Sequence, residues 1–138
     1  MIATLTTYIL YIGSLFKGKN HDYGMFKKEF NPKLKWFKNF NIYADLGYQG
    51  FADDYETKAL SIPHKKPRKS KNNPNPELTK EQKDYNKMIS SIRIKVEHAI
   101  AGMKRYNCFA IRYRNKIDST HDFFKLLSAA LWNFNLSY

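Results

Sequence analysis

The chain has 138 residues, 43% hydrophobic and 16% aromatic, which suits one domain with a packed core and excludes wholesale disorder. Its 24 Lys and Arg residues against 12 Asp and Glu residues give a net charge of +12, which indicates a polyanionic partner, most simply nucleic acid. The single cysteine, Cys108, excludes an intramolecular disulfide framework, and the apolar start is too short and too polar for a membrane span. We therefore expect a cytoplasmic protein that has no membrane partner.

The first half of the chain predicts three short strands and one short helix. Residues 6–12 are rich in β-branched and aromatic side chains, as a mostly buried strand is. Residues 22–30 are predicted to form a helix with Asp22 as its N-cap. The apolar runs at residues 41–45 and 58–62 predict two further strands.

The middle of the chain combines a basic segment with a long helix. Residues 64–77 contain several prolines and lysines, and this composition predicts a solvated linker. Residues 79–105 are predicted to be helical, because Thr79 and Gln82 have the spacing of a capping box. Apolar side chains recur along this helix at intervals of three and four, which predicts one core-facing stripe. The stripe consists of Ile89, Ile92, Val96, Ile100 and Met103.

The end of the chain predicts an irregular segment and a last helix. Residues 106–116 alternate between basic and apolar side chains and are predicted to be extended or irregular. The helix is predicted from residue 118 or 119 to about residue 135. Its apolar face consists of Phe123, Leu126, Leu127, Ala130, Leu131 and Phe134. The order strand, helix, strand, strand, long helix, helix predicts a mixed α/β domain.

Two carboxylates, Asp45 and Glu97, are the candidates for chemistry in a chain that has few acids. Asp45 closes an apolar strand before a glycine-containing turn, so it is either a capping residue or a metal ligand at a strand end. Glu97 lies beside the apolar stripe, so it either pairs with Arg93 one turn earlier or is a second ligand of the same site. Two carboxylates are a subset of what a two-metal phosphoryl-transfer site requires, and Mg²⁺ prefers such oxygen ligands.

The histidines are weaker candidates. The pair His21–Asp22 is favoured as a helix cap over a metal or acid–base pair, and His121–Asp122 lies in the first turn of the last helix. No two histidines have the spacing of a zinc site.

Two basic clusters are candidates for contacts with DNA phosphates. The first comprises Lys65, Lys66, Arg68, Lys69 and Lys71. The second comprises Lys104, Arg105, Arg112, Arg114 and Lys116. A charge run is often only a solvated surface, but the net charge favours DNA. The interleaved Tyr106 and Tyr113 either stack on bases or pack in the core.

The segment ADLGYQGF at residues 44–51 resembles the DxGYQG block of IS5-type insertion-sequence transposases, which belong to the DDE superfamily. Further blocks of that family follow in the same order along nearly the whole chain. They are GKNHD at 18–22, PHKKP at 63–67, LTKEQK at 78–83 with Asn86, IRIKVEHAI at 92–100, KR at 104–105, RYRN at 112–115 and NF at 133–134.

The resemblance implies a ribonuclease-H-like fold in which three acids bind Mg²⁺ or Mn²⁺ and the enzyme cuts and joins DNA. Asp45 matches the second acid and Glu97 the third, so both are expected catalytic metal ligands. Arg93 is expected to position or neutralise groups near Glu97 and to contact DNA. A bacterial-type, nucleoid-associated location follows from the same resemblance.

The first acid of the family has no counterpart, because no acid precedes Asp22 and the strand at residues 6–12 matches the family's third strand. We therefore expect a truncated domain that lacks the first strands and is inactive alone. Activity would require another polypeptide or a frameshifted product that supplies the first acid. The expected partners are DNA and either further copies of the chain in a homo-oligomer or such a second polypeptide. The alternative is a non-catalytic basic DNA-binding protein or regulator derived from a transposase.

Overall fold

The structure, a computed structural model, describes residues 1–14, 21–71, 73–106 and 118–137. The chain divides into two compact units, one made of Met1–Asn20 with Ile94–Tyr138 and the other of His21–Arg93. Its elements are β1 (Ile2–Ala3), β2 (Ile9–Tyr11), α1 (Asp22–Glu29), β3 (Asn41–Tyr43), α2 (Phe51–Asp54), β4 (Ala59–Ser61), α3 (Lys80–Lys104) and α4 (Asp118–Leu136). This mixed α/β architecture is the one that the sequence predicts.

The unit His21–Arg93 contains one pair of parallel strands. β3 and β4 run side by side, with Asn41 opposite Ala59 and Tyr43 opposite Ser61. Both strands predicted here are confirmed over shorter ranges. Parallel strands need a crossover connection, and here the connection passes through α2.

Aromatic rings form the core of this unit. Phe37 and Phe51 are buried, and the ring of Phe26 on α1 lies 5.6 Å from each of them. Tyr55 is buried as well, and its hydroxyl donates a hydrogen bond to the Phe30 carbonyl. Burial raises the pKa of Tyr55 to about 12, so this hydroxyl stays protonated as a donor.

The N-termini of α1 and α3 differ in how they are capped. At α3 the Thr79 hydroxyl accepts from the Gln82 amide at 3.2 Å, and the Gln82 side chain accepts from the Thr79 amide at 3.1 Å. The predicted capping box is thus confirmed. At α1 the N-cap is His21, which makes no side-chain capping bond, so the prediction that Asp22 is the N-cap is wrong. Asp22 lies in the first turn instead, where its charge still favours the helix dipole.

The other unit begins with a hairpin, where the sequence predicts a single strand at residues 6–12. β1 and β2 pair antiparallel, with Ile2 opposite Tyr11. Thr7 has φ of 66°, a left-handed conformation that ends a strand, so only Ile9–Tyr11 of the predicted strand forms. The described strands form two two-stranded sheets, β1 with β2 and β3 with β4.

α4 packs beside this hairpin through a face that is partly polar. Lys125 and Ser128 are buried there, and Ala129 joins a small core with Met103 of α3. Directional hydrogen bonds fix the orientation of the helix. They run from Lys125 Nζ to Gly13 O (2.7 Å), from Trp132 Nε1 to Thr7 O (2.9 Å), and in both directions between the Asn133 amide and the Ile9 backbone (2.8 Å each).

The apolar stripe of α3 is buried at both ends and half-buried between them, whereas the apolar face of α4 is exposed. Ile89 and Met103 are 0% and 1% exposed, which confirms the stripe at both ends. In contrast, the large side chains of the apolar face of α4 are 39% to 59% exposed. An apolar helix face normally packs on the core, and this one does not.

Candidate functional site

Asp45 lies two residues after the end of β3 and caps the turn that follows. Its backbone is extended, with φ of −82° and ψ of 166°, and its side chain accepts a hydrogen bond from the Leu46 amide at 2.6 Å. The residues Leu46–Tyr48 then form one short 3₁₀ turn. The capping interpretation of Asp45 is therefore confirmed as local geometry, and it leaves the second carboxylate oxygen for another contact.

That second oxygen pairs with Arg93 on α3. Arg93 Nη2 lies 3.1 Å from Asp45 Oδ2, and the two side chains are 38% and 49% exposed. Sequence spacing favoured Glu97 as the partner of Arg93, since it lies one helical turn away. In the structure Arg93 pairs instead with Asp45, which is the candidate for the family's second acid.

Tyr23 holds the glycine-containing turn that follows Asp45. Its hydroxyl contacts the Gly50 carbonyl at 3.0 Å and the Asp54 carboxylate, and its ring meets Tyr48 edge to face at 5.5 Å. Burial, together with the hydrogen bond to Asp54, raises the pKa of Tyr23 above its ordinary value. Sequence reasoning missed this residue, although it follows the matched His21–Asp22 block directly.

Tyr48 of the same turn lies among acids. Burial raises its pKa, and the negative charges of Asp22, Asp45 and Glu29 raise it further. The hydroxyl therefore remains neutral near Asp45. A neutral, partly buried tyrosine suits a packing role for this side chain.

Glu97, the other candidate ligand, is an exposed residue of α3. Among the residues that the structure describes, no group of three or more His, Cys, Asp or Glu side chains could hold a metal ion. Mg²⁺ demands near-octahedral oxygen coordination, and Asp45 already has an amide and a guanidinium as partners. The described side chains thus do not fit a divalent metal by themselves.

The basic segment is exposed, and each of its ends is tied to α3. The Asn86 amide accepts from the His64 backbone N–H at 2.7 Å and donates to its carbonyl at 3.0 Å. Near the other end, Glu77 pairs with Lys83 at 2.7 Å, and the lysine lowers the pKa of this carboxyl. The cations between these anchors are exposed, and they are Lys65, Lys66, Arg68, Lys69 and Lys71.

Part of the second basic cluster is described. Lys104 and Arg105 are exposed at the end of α3, and the Arg105 guanidinium lies 5.7 Å from the centre of the Trp132 ring. The Tyr106 hydroxyl accepts from the Asn135 amide at 2.8 Å, which ties this ring to α4. Arg112, Arg114, Lys116, Tyr113 and Cys108 lie outside the described residues.

The histidine pairs lie at helix starts, as the sequence favours. His21 and Asp22 are exposed at the beginning of α1. Asp122 Oδ1 lies 2.7 Å from Lys125 Nζ, so this acid neutralises a buried lysine of the same helix. Within the described ranges, no helix is long and apolar enough to cross a lipid bilayer.

Comparison with known proteins identifies the family. The profile of the family described as DDE superfamily endonuclease matches residues 1–133. The chain is also 35% identical over 124 residues to a probable transposase for insertion sequence element IS702 from Microchaete diplosiphon. That alignment covers 88% of this chain but 40% of the relative, so the chain spans two-fifths of the relative's length. No solved structure gives a significant match. With its motifs in the family's order and a profile match over nearly all its residues, the chain belongs to the DDE superfamily of endonucleases.

Proposed function

We propose that this chain contributes Asp45 and Glu97 to the DNA-cutting and DNA-joining site of a DDE transposase of the IS5 type. The observation that carries the proposal is the position of Asp45. This acid lies two residues after the end of a parallel strand, at the start of the family's glycine-containing turn, in a chain matched by the family over residues 1–133. A ribonuclease-H-like domain is part of the same proposal.

The complete site requires more than these two acids. Members of the superfamily generally use divalent metal ions, and the resemblance assigns three acids to the site. Two are present as Asp45 and Glu97, and the former is paired with Arg93. We infer that Mg²⁺ or Mn²⁺ binds only where a third acid completes the set.

DNA is the proposed substrate, and the basic segment is its proposed contact. Four exposed cations at Lys65, Lys66, Arg68 and Lys69 lie between anchors on α3, so they project from a held segment. Cations held in this way neutralise phosphates without reading sequence. Lys104, Arg105, Arg93, Arg112 and Arg114 are proposed as further DNA contacts.

A second candidate function is metal-independent DNA binding. It is favoured by the ion pair between Arg93 and Asp45, which provides a counter-charge for the acid without any metal. Under this alternative the chain acts as a regulator derived from a transposase. The two candidates differ in whether Asp45 and Glu97 are needed for any activity on DNA.

The discriminating experiment is reconstituted cleavage. The chain is co-expressed with the part of the IS702 transposase that lies outside the 124 matched residues, and the complex is assayed for nicking of supercoiled DNA with Mn²⁺. We expect Asp45→Asn and Glu97→Gln each to reduce nicking by more than about 100-fold, since even indirect partners of metal ligands are worth 10–100-fold.

Matched controls make the result specific. Asp53→Asn removes an exposed acid of α2, and Glu81→Gln removes an exposed acid from the first turn of α3. Both controls are expected to nick like the unmodified complex. Nicking that survives Asp45→Asn or Glu97→Gln would refute the catalytic proposal, whereas DNA binding without nicking would favour the alternative.

A further inference from the structure

β3 and β4 run parallel, so the segments that follow them leave the sheet at the same edge. The ladder ends where Tyr43 lies opposite Ser61, and the Ala44 amide donates to the Ser61 carbonyl at 3.0 Å. Asp45 lies two residues after the end of β3, and His64 lies three residues after the end of β4. Because neighbouring strands are about 4.8 Å apart, the chain passes through Asp45 and His64 on adjacent paths, at the edge where parallel sheets bind ligands.

α3 holds both of these segments through one of its faces. Arg93 Nη2 lies 3.1 Å from Asp45 Oδ2. The Asn86 side chain accepts from the His64 backbone N–H at 2.7 Å and donates to the His64 carbonyl at 3.0 Å. Asn86 precedes Arg93 by seven positions, which is close to two helical turns, so the two side chains lie on the same face, roughly 10 Å apart along the axis. The backbone of His64 is therefore held in a fixed position relative to Asp45.

The side chain of His64 extends into solvent from this fixed backbone. The residue is exposed, and its ring lies 5.1 Å from the ring of Tyr85 on α3. Both hydrogen bonds that His64 makes within the described part of the chain use its backbone. At least one imidazole nitrogen carries a proton in either tautomer. The side chain therefore offers an N–H donor to a ligand at this edge of the sheet.

The surroundings of this donor favour a phosphate group as its ligand. Lys65 and Lys66 follow His64 directly and are exposed. An N–H donor beside two ammonium groups suits the anionic oxygens of a DNA backbone, and contacts of this kind fix the register of a bound strand. We propose that His64 is a further DNA-contact residue, whose imidazole N–H binds a phosphodiester of the strand that passes Asp45. This inference rests on the proposed function, in which Asp45 belongs to the DNA-cutting site.

The test separates the N–H donor of His64 from the packing of its ring. His64→Gln keeps a side-chain N–H donor and removes the ring, whereas His64→Phe keeps a ring beside Tyr85 and removes the donor. Fluorescence anisotropy with labelled duplex DNA measures the affinity of the full chain. We expect His64→Phe to weaken binding roughly tenfold, because hydrogen bonds to charged groups are the stronger class, and His64→Gln to stay within about twofold of wild type. His21→Phe should bind like wild type, since His21 is exposed in the same unit and makes no side-chain capping bond.

NMR locates the contact without any need for cleavage. When the same duplex is added to the wild-type chain, the Cε1–H signal of His64 is expected to shift. The amide signal of Leu46 is expected to shift with it, because this amide is bonded to Asp45. The Cε1–H signal of His21 is expected to stay in place.

Three kinds of result would overturn the inference. No binding by the wild type, or equal affinities for the wild type and His64→Phe, would exclude the contact. Equal weakening by His64→Phe and His64→Gln would mean that the donor is not what DNA requires of this residue. DNA that binds without shifting the signals of His64 and Leu46 would place the strand away from this edge. If every result is as expected but the co-expressed complex does not nick DNA, the proposed function is refuted and the contact at His64 stands.

Discussion

Arg93 and Asp45 form an ion pair in which the arginine Nη2 lies 3.1 Å from the carboxylate Oδ2. The other oxygen of Asp45 accepts from the Leu46 amide at 2.6 Å, so the acid is held in one orientation by two donors. The donors come from a turn and from a helix that are far apart in sequence. Asp45, which we propose as one of the family's acids, is therefore already oriented and charge-compensated within its own unit.

The ion pair between Arg93 and Asp45 is predicted to be weak enough for Asp45 to release the arginine and bind another cation. Arg93→Gln should lower the free energy of unfolding by no more than about 1 kcal/mol, because solvent screens both half-exposed side chains. Urea unfolding measures this change, and Lys95→Gln, an exposed residue of the same helix, is the control for lost charge. A loss above about 2 kcal/mol would mean that Asp45 cannot release the arginine to take another cation.

Alkaline pH should destabilise the unit His21–Arg93 through its tyrosines. The pKa of Tyr23 is raised in the folded chain, so its contribution is complete below the ordinary value of 10.0 and is lost as pH rises toward the folded value. Thermal unfolding of the wild type is expected to become steadily easier above about pH 10. Tyr23→Phe should show a shallower decline, whereas Tyr8→Phe, which changes an exposed tyrosine, should follow wild type. An unchanged decline in Tyr23→Phe would contradict this assignment.

The packing of the Trp132 ring is predicted to require a glycine at position 102 of α3. A Cβ added at Gly102 would lie 2.2 Å from Cε3 of that ring, and the indole is held by its bond to Thr7. Gly102→Ala should therefore cost about 1–3 kcal/mol of unfolding free energy through overpacking. At Gly24 of α1 a Cβ would meet no atom within 4 Å, so Gly24→Ala should instead stabilise the chain by about 0.5–1 kcal/mol. Equal effects of the two substitutions in chemical unfolding would be inconsistent with the packing described.

Asn86 is predicted to position the basic segment. Asn86→Ala removes both hydrogen bonds to the His64 backbone and should cost about 1 kcal/mol of stability. It should also weaken DNA binding severalfold without changing the salt dependence, since no charge is lost. Fluorescence anisotropy with labelled duplex DNA measures both quantities. Asn39→Ala, an exposed asparagine, is the control, and equal affinities for the two variants would rule out the anchoring role.

The sequence predicted those features that depend on residues close to one another along the chain. The Thr79–Gln82 capping box and the α3 stripe depend on residues three or four apart, and both are confirmed. The strands at 41–45 and 58–62 were found because apolar runs before turns are equally local. The position of Asp45 at a strand end follows from the same reasoning.

Contacts between distant residues could not be predicted in this way. The pairing of Arg93 with Asp45 instead of Glu97 depends on tertiary structure, and so does the role of Tyr23. The outward orientation of α4 is set by bonds from Asn133 and its neighbours to the hairpin, which no periodicity reveals. The left-handed backbone of Thr7 could not be predicted either, because this conformation is usual for Gly and Asn and Thr7 is neither.

The most direct test of the account is DNA binding by the chain itself, since both candidate functions require it. Affinity for duplex DNA is measured against salt for the wild type and for a variant with Lys65, Lys66, Arg68 and Lys69 all changed to Gln. The account predicts a slope of log affinity against log salt that is shallower by roughly 3 to 4 units in the variant. A control with Lys33, Lys58, Lys80 and Lys87 changed to Gln has the same net charge and alters exposed lysines elsewhere, so it should keep most of the wild-type slope. Equal slopes for the two variants, or no binding by the wild type, would contradict the proposal that the chain meets DNA through this segment.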